Sequence, residues 1–313
     1  MALFVRLSIF ACFTVLYLGS TINAQDTFRY ALFSQQLQFI NPALSGAETQ
    51  ALLSTRNQWV SVENAPKTTS FALGAPLKNN LGGGINILNN SLFVENKTIA
   101  SADLSYHLTL SDESHLYLGM RGGGYFYKVD PLTLVTTAPI SDPSQQAQAY
   151  FAPVIGAGAY WTFKNFWVSY SIPQLVKIGT LDPAINSVIN VQHYAAAGAT
   201  FAVTDNLQWK NAVIFRQSKG FKASQQYASA LALQNIFELG VSYFSTGTAA
   251  ATGQVNIANF FSLGYAYERS LNNSTSGLDR RTHEVFLRLR LDSLLGASQE
   301  NASEGAEETP EEN

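Results

Sequence analysis

Between about residue 50 and residue 292, apolar residues alternate with polar or small ones in stretches of roughly ten, separated by turn formers. Ala100, Ala102, Leu104, Tyr106, Leu108 and Leu110 interleave with Ser101, Asp103, Ser105, His107 and Thr109. Leu116, Leu118 and Met120 interleave with Tyr117, Gly119 and Arg121, and Val285, Leu287, Leu289 and Leu291 with Glu284, Phe286, Arg288 and Arg290. A period of two sends the two sets to opposite faces of a strand. Strands of about ten residues, greasy on one face and polar on the other, suit a barrel set in lipid around a wet lumen. The expected fold is all-β: a transmembrane antiparallel β-barrel of about fourteen strands.

The ends of the chain fall outside this repeat. Residues 1–24 have the parts of a secretory signal: Arg6, an apolar run from Leu7 to Leu18, then Gly19, Ser20 and Ala24. That run is too short to span a bilayer as a helix, and no later run is longer, so a membrane protein here must cross with strands. The only cysteine, Cys12, sits inside the signal, where Ile9-Phe10-Ala11-Cys12 loosely resembles a lipoprotein box. Cleavage after Ala24 leaves no thiol and no disulfide. Residues 25–48 lack the alternation and are read as a plug or brace, with Asn41-Pro42-Ala43-Leu44-Ser45-Gly46 as a strong turn signal. Residues 49–295 form the barrel. Residues 296–313 form an acidic tail with six glutamates, too polar to fold alone.

Strands are expected near 50–60, 67–76, 80–88, 97–110, 114–127, 149–162, 165–173, 190–203, 206–217, 225–234, 236–245 and 281–292. The alternating run from 248 to 269 is too long for one strand, so it is cut at Asn259 into Thr248–Ala258 and Phe260–Arg269. Parity supports the cut, since single-chain bacterial barrels have even strand numbers. Connections then alternate in length. Lys78-Asn79-Asn80, Ser111-Asp112-Glu113, Lys164-Asn165, Thr204-Asp205-Asn206, Gln234-Asn235 and Asn259 are short, whereas 61–66, 89–96, 128–148, 174–189, 218–224 and 270–280 are longer. Short periplasmic turns and long outer loops characterise outer-membrane barrels, so both termini are expected in the periplasm. Loops 128–148 and 174–189 are the expected partner-binding surfaces.

A soluble all-β sandwich would also alternate, but its outward face would carry many lysines and glutamates. Here charged residues make up only 13% of the chain, and the polar face is rich in Ser, Asn, Gln, Gly and Ala. The formal charge of −3 comes largely from the tail, and no basic field for nucleic acid exists. Catalytic groups are lacking as well. His107, His115, His193 and His283 lie on separate strands, and Leu287 stands where an HExxH zinc site needs its second histidine. Asp103 and His107 form at most half of a catalytic pair, with no nucleophile beside them. No GxSxG elbow or phosphate loop occurs, and Gly82-Gly83-Gly84 and Gly122-Gly123-Gly124 interrupt strands rather than open helices. No catalytic residue, cofactor or metal is expected.

The alternation places Arg56, Asp103, Arg121, Lys210, Arg216, Glu238, Glu268, Glu284, Arg288 and Arg290 in the lumen. They are either a pore lining or docking site for a plug, or a network of paired charges that fills the lumen. Trp59, Trp161, Trp167 and Trp209 lie near strand ends, as an aromatic girdle at the lipid interface requires.

A series of motifs runs in order along the chain. They are Asn41-Pro42-Ala43-Leu44-Ser45-Gly46, Arg56-Asn57-Gln58-Trp59-Val60, Ala65-Pro66-Lys67-Thr68-Thr69, and Leu81-Gly82-Gly83-Gly84 followed by Asn89-Asn90. Leu239-Gly240-Val241-Ser242-Tyr243, Gly264-Tyr265-Ala266-Tyr267 and Thr282-His283-Glu284-Val285 continue it. The ordered set resembles the PorP/SprF family. The resemblance implies an outer-membrane protein of type IX secretion and gliding motility. It implies two kinds of partner: a secreted surface protein carrying a type B C-terminal sorting domain, and periplasmic or peptidoglycan-linked machine components. Asn41, Pro42, Ala43, Gly46, Arg56, Gln58, Trp59, Ala65, Pro66 and Lys67 are the residues it marks as shared structure, with Trp59 anchoring a strand at the outer interface, Pro66 fixing the first loop and Lys67 pairing with a lumen or loop carboxylate. The residues alone leave a passive channel or hydrophobic-solute transporter open as the other reading.

Overall fold

The computed structural model describes residues 29–130, 148–175, 191–218, 221–258, 260–271 and 281–292. The strands are β1 (Gln50–Gln58), β2 (Lys67–Pro76), β3 (Leu81–Leu92), β4 (Glu95–Ser111), β5 (Ser114–Val129), β6 (Gln148–Phe163) and β7 (Phe166–Ile172). They continue as β8 (Gln192–Thr204), β9 (Leu207–Ser218), β10 (Ser224–Leu233), β11 (Phe237–Phe244), β12 (Thr248–Ile257), β13 (Phe261–Ser270) and β14 (Arg281–Arg290). Each pairs antiparallel with its sequence neighbours, and β1 pairs with β14 from Gln50↔Arg290 to Gln58↔Thr282, which closes the barrel. Closure removes every sheet edge, which a sheet in hydrocarbon requires.

The period-two pattern fixes which way each side chain points. Along β13, Ser262, Ala266 and Glu268 are buried inward, whereas Leu263 and Tyr265 point outward and are exposed. The inversion is general: Gln226, Ser262 and Ser242 are 0–1% exposed, while Leu239, Met120 and Val241 are 73%, 64% and 63% exposed. A polar interior inside an apolar shell is stable only where lipid covers the shell. Among the described residues no helix is long and apolar enough to cross a membrane.

Strand order and number follow the alternation, and the cut in the long run falls between Ile257 and Phe261, although Asn259 itself lies outside the described residues. One expected loop is absent. Residues 89–96 are not a connection: β3 runs to Leu92 and β4 begins at Glu95, leaving Phe93-Val94 as the whole turn, with Phe93 at φ 50°. The asparagines there are cross-strand groups rather than turn formers, because Asn89 Nδ2 donates to Asn96 Oδ1 at 2.9 Å and to Thr98 Oγ1 at 2.8 Å. Most of loops 128–148, 174–189 and 270–280, the signal segment and the acidic tail lie outside the described residues.

The tryptophan girdle needs one correction. Trp161 and Trp209 face outward, and their indole N–H groups donate to Ser114 and Ser229 Oγ, each at 2.9 Å. Trp59 sits in the turn after β1 at φ 50°. Trp167, however, faces the lumen and packs on the core beside Tyr160. Room for it comes from its register partner Gly198, where a Cβ would meet the indole at 2.4 Å.

An arginine at Val241, outward and near the middle of β11, should destabilise the barrel by about 2–4 kcal/mol in urea unfolding from lipid vesicles. A loss within about 0.5 kcal/mol, as expected of a watery surface, would contradict a lipid-facing β11.

Candidate functional site

A barrel of fourteen strands encloses more space than wall side chains fill. Residues 29–48 occupy that space as three short 3-10 turns, Phe33–Gln35, Leu37–Phe39 and Pro42–Leu44. Tyr30, Phe33, Leu37, Phe39 and Ile40 form one apolar cluster with the inward wall residues Leu52, Ala72, Leu88, Tyr194, Ala196 and Ile214. Ala31 and Leu32 form a second with Phe244, Ala250, Ala266 and Phe286. Burying a side chain of this size is worth about 1.5–3 kcal/mol, so the segment is held by packing before any polar contact is counted.

The Asn41–Gly46 turn is seated in the wall rather than in the lumen centre. Asn41 is fully buried; its Oδ1 accepts from Ala43 N at 2.9 Å, and its Nδ2 donates to Ser169 Oγ at 2.8 Å and to Ala159 O at 3.0 Å. Pro42 at the first helical position loses no hydrogen bond there. Glycines make the seat. A Cβ at Gly119 would lie 2.3 Å from Ala43 N, and one at Gly158 would lie 2.1 Å from Asn41 Oδ1. Gly46, at φ +139°, lies against Gly82, where its own Cβ would come within 2.4 Å of the Gly82 Cα.

Two ionic groups tie the segment down. In the first, Glu284 accepts from Ala31 N at 2.7 Å, Leu32 N at 3.1 Å and Gln36 Nε2 at 2.7 Å, with Arg56 at 3.5 Å. Glu268 bridges Arg56 at 2.7 Å and Arg29 at 2.6 Å. Two arginines thus balance two glutamates. In the second, Arg121 grips Asp103 through Nε and Nη2, both at 2.7 Å, and donates from Nη1 to Phe39 O at 2.8 Å. Asp103 also accepts from Ser45 Oγ and Asn86 Nδ2, each at 2.6 Å. Asp103 is therefore committed to Arg121 and not to His107, so the two do not form half of a catalytic pair. Tyr30 shares a 2.6 Å hydrogen bond with Ser70, and burial raises its phenol above the ordinary value.

The remaining lumen charges fall at the rims or stand apart. Lys210 pairs with Glu238 at 2.7 Å, Arg290 with Glu48 at 3.5 Å, and Arg288 donates to Gln35. Among the described residues Arg216 hydrogen-bonds only to the neutral Gln226, at 2.6 Å. Of the motif residues at the first loop, Pro66 is buried and its carbonyl accepts from Gln58 N at 2.9 Å. Ala65 is half-buried. Lys67 is exposed on the outward face of β2, because strand parity turns it away from the lumen; among the described residues it makes no ion pair. The histidines are less scattered than their spacing implies. His107 Nε2 and His115 Nδ1 lie 3.3 Å apart on adjacent strands, and His193 and His283 accept or donate to Tyr170 and Tyr265 at 2.8 and 2.7 Å.

Arg29, Gln36, Asn86, Gly119, Gly158 and Gln226 are the seat residues that sequence reasoning missed. Two signals were available: Arg29 is the only charge between Asp26 and Glu48, and Gly119 and Gly158 fall on inward positions of their strands.

Fold and site together define a closed β-barrel whose lumen is occupied by the segment ahead of its first strand. Residues 22–289 match the family described as type IX secretion system membrane protein PorP/SprF, and the chain belongs to that family. It is therefore an outer-membrane component of type IX secretion. No curated protein matches the sequence. Solved structures similar to it include outer membrane protein Omp33 of Acinetobacter baumannii, at 9% identity over 78% of this chain and 99% of that one, TM-score 0.45. The toluene transporter TbuX of Ralstonia pickettii is 10% identical over 80% of this chain and 92% of its own, TM-score 0.49. A FadL homologue of Pseudomonas aeruginosa is 10% identical with the same coverage, TM-score 0.44.

Glu284→Ala removes the acceptor of three donors and leaves Arg56 short of charge, so it should cost about 3–5 kcal/mol in urea unfolding. Gly119→Val should cost about 1–3 kcal/mol by pushing on the Pro42-Ala43 backbone. If both variants unfold like the wild type, the segment is not seated as described.

Proposed function

We propose that the protein is a non-enzymatic accessory barrel that acts as a membrane-fixed receptor for a large secreted surface protein, assisting its export or attachment. The two longest connections, after β5 and after β7, meet that protein outside the cell and recognise its type B C-terminal sorting domain. The terminus side, where the short turns lie, faces the periplasm and meets periplasmic or peptidoglycan-linked components of the machine.

One observation carries this reading. The lumen is occupied by the chain's own residues 29–48, tied to β4, β5, β13 and β14 through Asp103, Arg121, Glu268 and Glu284. A barrel so filled offers surfaces at its two ends rather than an open conduit between them, which argues against a passive channel. Membership of a secretion family supports the choice of cargo. The motif residues Asn41, Pro42, Ala43, Gly46 and Arg56 and the lumen charge Asp103 serve the barrel's own structure in this account, and no residue is assigned a catalytic role.

Affinity capture of the tagged barrel from gently solubilised outer membranes should recover a large surface protein held through its C-terminal domain. Trp59→Ala, at the loop-side end of β1, should lower surface display of that protein severalfold while the barrel still assembles. Recovery of neither surface protein nor machine component, from a folded and correctly placed barrel, would contradict the receptor reading.

A further inference from the structure

Among the described residues, the inner wall carries a fully buried cation without a counter-ion. Arg216 is 2% exposed, near the loop-side end of β9, and its guanidinium meets a single protein group, the neutral Oε1 of Gln226, at 2.6 Å from Nη2. Its Nε and Nη1 have no hydrogen-bond partner among the described residues. Glu268 is already engaged by Arg29 and Arg56, and Glu284 by Arg56 and the backbone of Ala31 and Leu32. A guanidinium stays charged at any physiological pH, so it cannot shed the cost of burial by losing its proton. Leaving such a charge uncompensated in a low-dielectric interior costs several kcal/mol.

The geometry of the guanidinium says what would compensate it. Its five N–H groups form two forks that share Nη2. Gln226 takes one hydrogen of Nη2, so whichever fork that hydrogen belongs to, the other remains whole. An open fork presents two parallel donors, which fit two oxygens of one planar or tetrahedral oxyanion. The register supplies a further donor. Ser224 lies directly opposite Arg216, is 9% exposed, and its hydroxyl has no partner. Directly opposed residues have Cβ atoms about 5 Å apart, within reach of one small anion. On the other flank Arg216 faces Tyr194, whose own hydroxyl donates to Gln192 at 2.6 Å. Tyr194, Gln192 and Gln174 line a cavity on the loop side of the plug.

We propose that the open guanidinium edge of Arg216, together with the Ser224 hydroxyl, is a binding site for an oxyanion, a carboxylate or a phosphate group, entering from the loop side. The site is separate from the two ionic groups that seat the plug, and the proposal does not depend on the secretion reading. A carboxylate would come from a peptide side chain or chain end, and a phosphate from a phosphorylated molecule; both present the paired oxygens that the fork requires.

The test uses the full-length barrel, purified and folded in detergent, with acetate and inorganic phosphate as probes. Ionic strength is held constant with chloride. The unfolding temperature should rise saturably with acetate, with phosphate or with both, and the one that acts identifies the ligand group. Arg216→Met should raise the half-saturating concentration at least tenfold, and Ser224→Ala severalfold. Arg290→Met, which alters a rim arginine paired with Glu48, should leave it unchanged. A shift in gel migration between unheated and heated samples confirms that each variant is folded, and Ser224→Ala decides the matter if Arg216→Met does not fold. The proposal is overturned if neither anion acts saturably on the wild type, or if the folded Arg216 and Ser224 variants respond as the wild type does.

Discussion

A closed sheet of fourteen strands has to be filled, and nearly everything distinctive in this molecule follows from how that is done. Smaller barrels fill their interiors with wall side chains, whereas a wider one leaves a channel or needs a plug. This chain supplies its own. The apolar face of residues 30–40 meets a set of inward apolar residues, Leu52, Leu88 and Ile214 among them, in a wall whose other buried residues are largely polar or charged. The remaining contacts are made by backbone against glycine, at Gly119 and Gly158, where any side chain would collide with Ala43 or Asn41. Packing therefore sets both where the segment lies and which wall positions must stay small.

Charges in the lumen give the seat its specificity. Arg56, Arg29, Glu268 and Glu284 sit in a single balanced group, and Arg121 is balanced by Asp103. Buried ion pairs contribute little net stability, because desolvation offsets most of their attraction, but removing one partner is costly. Their effect is to penalise every arrangement in which the segment is displaced, since Glu284 would lose the Ala31 and Leu32 amides and Asp103 the Ser45 hydroxyl. Arg216 departs from this balance, which is why an external anion is the natural partner for it.

The wall was far more legible in the sequence than its contents. Alternation depends only on local chain geometry, so strand number, order and inward charges such as Arg56 and Glu284 could be read one residue at a time. The failures came where a residue's role is set by something distant in sequence. Asn89 looks like a turn former until its partners across the sheet, Asn96 and Thr98, are known. Trp167 suits a lipid girdle by its place in the chain, but strand parity and the space left by Gly198 turn it inward. The same parity turns Lys67 outward, away from any lumen carboxylate. The plug has no period at all, so its three short turns and its seat against Gly119 and Gly158 required the tertiary structure.

Seated this way, the segment fills much of a barrel whose two ends differ: the termini and only short turns lie at one, and the long connections lie at the other beside the short turns after β3 and β11. That asymmetry suits a protein that holds partners on both sides of a membrane rather than one that passes solutes through it. Steady ion conductance across planar bilayers tests the closed lumen most directly. The full-length barrel should show no steady conductance at either polarity, and a barrel lacking residues 25–48 should conduct. A full-length barrel that conducts steadily, with the same unitary conductance as the shortened one, would contradict the account.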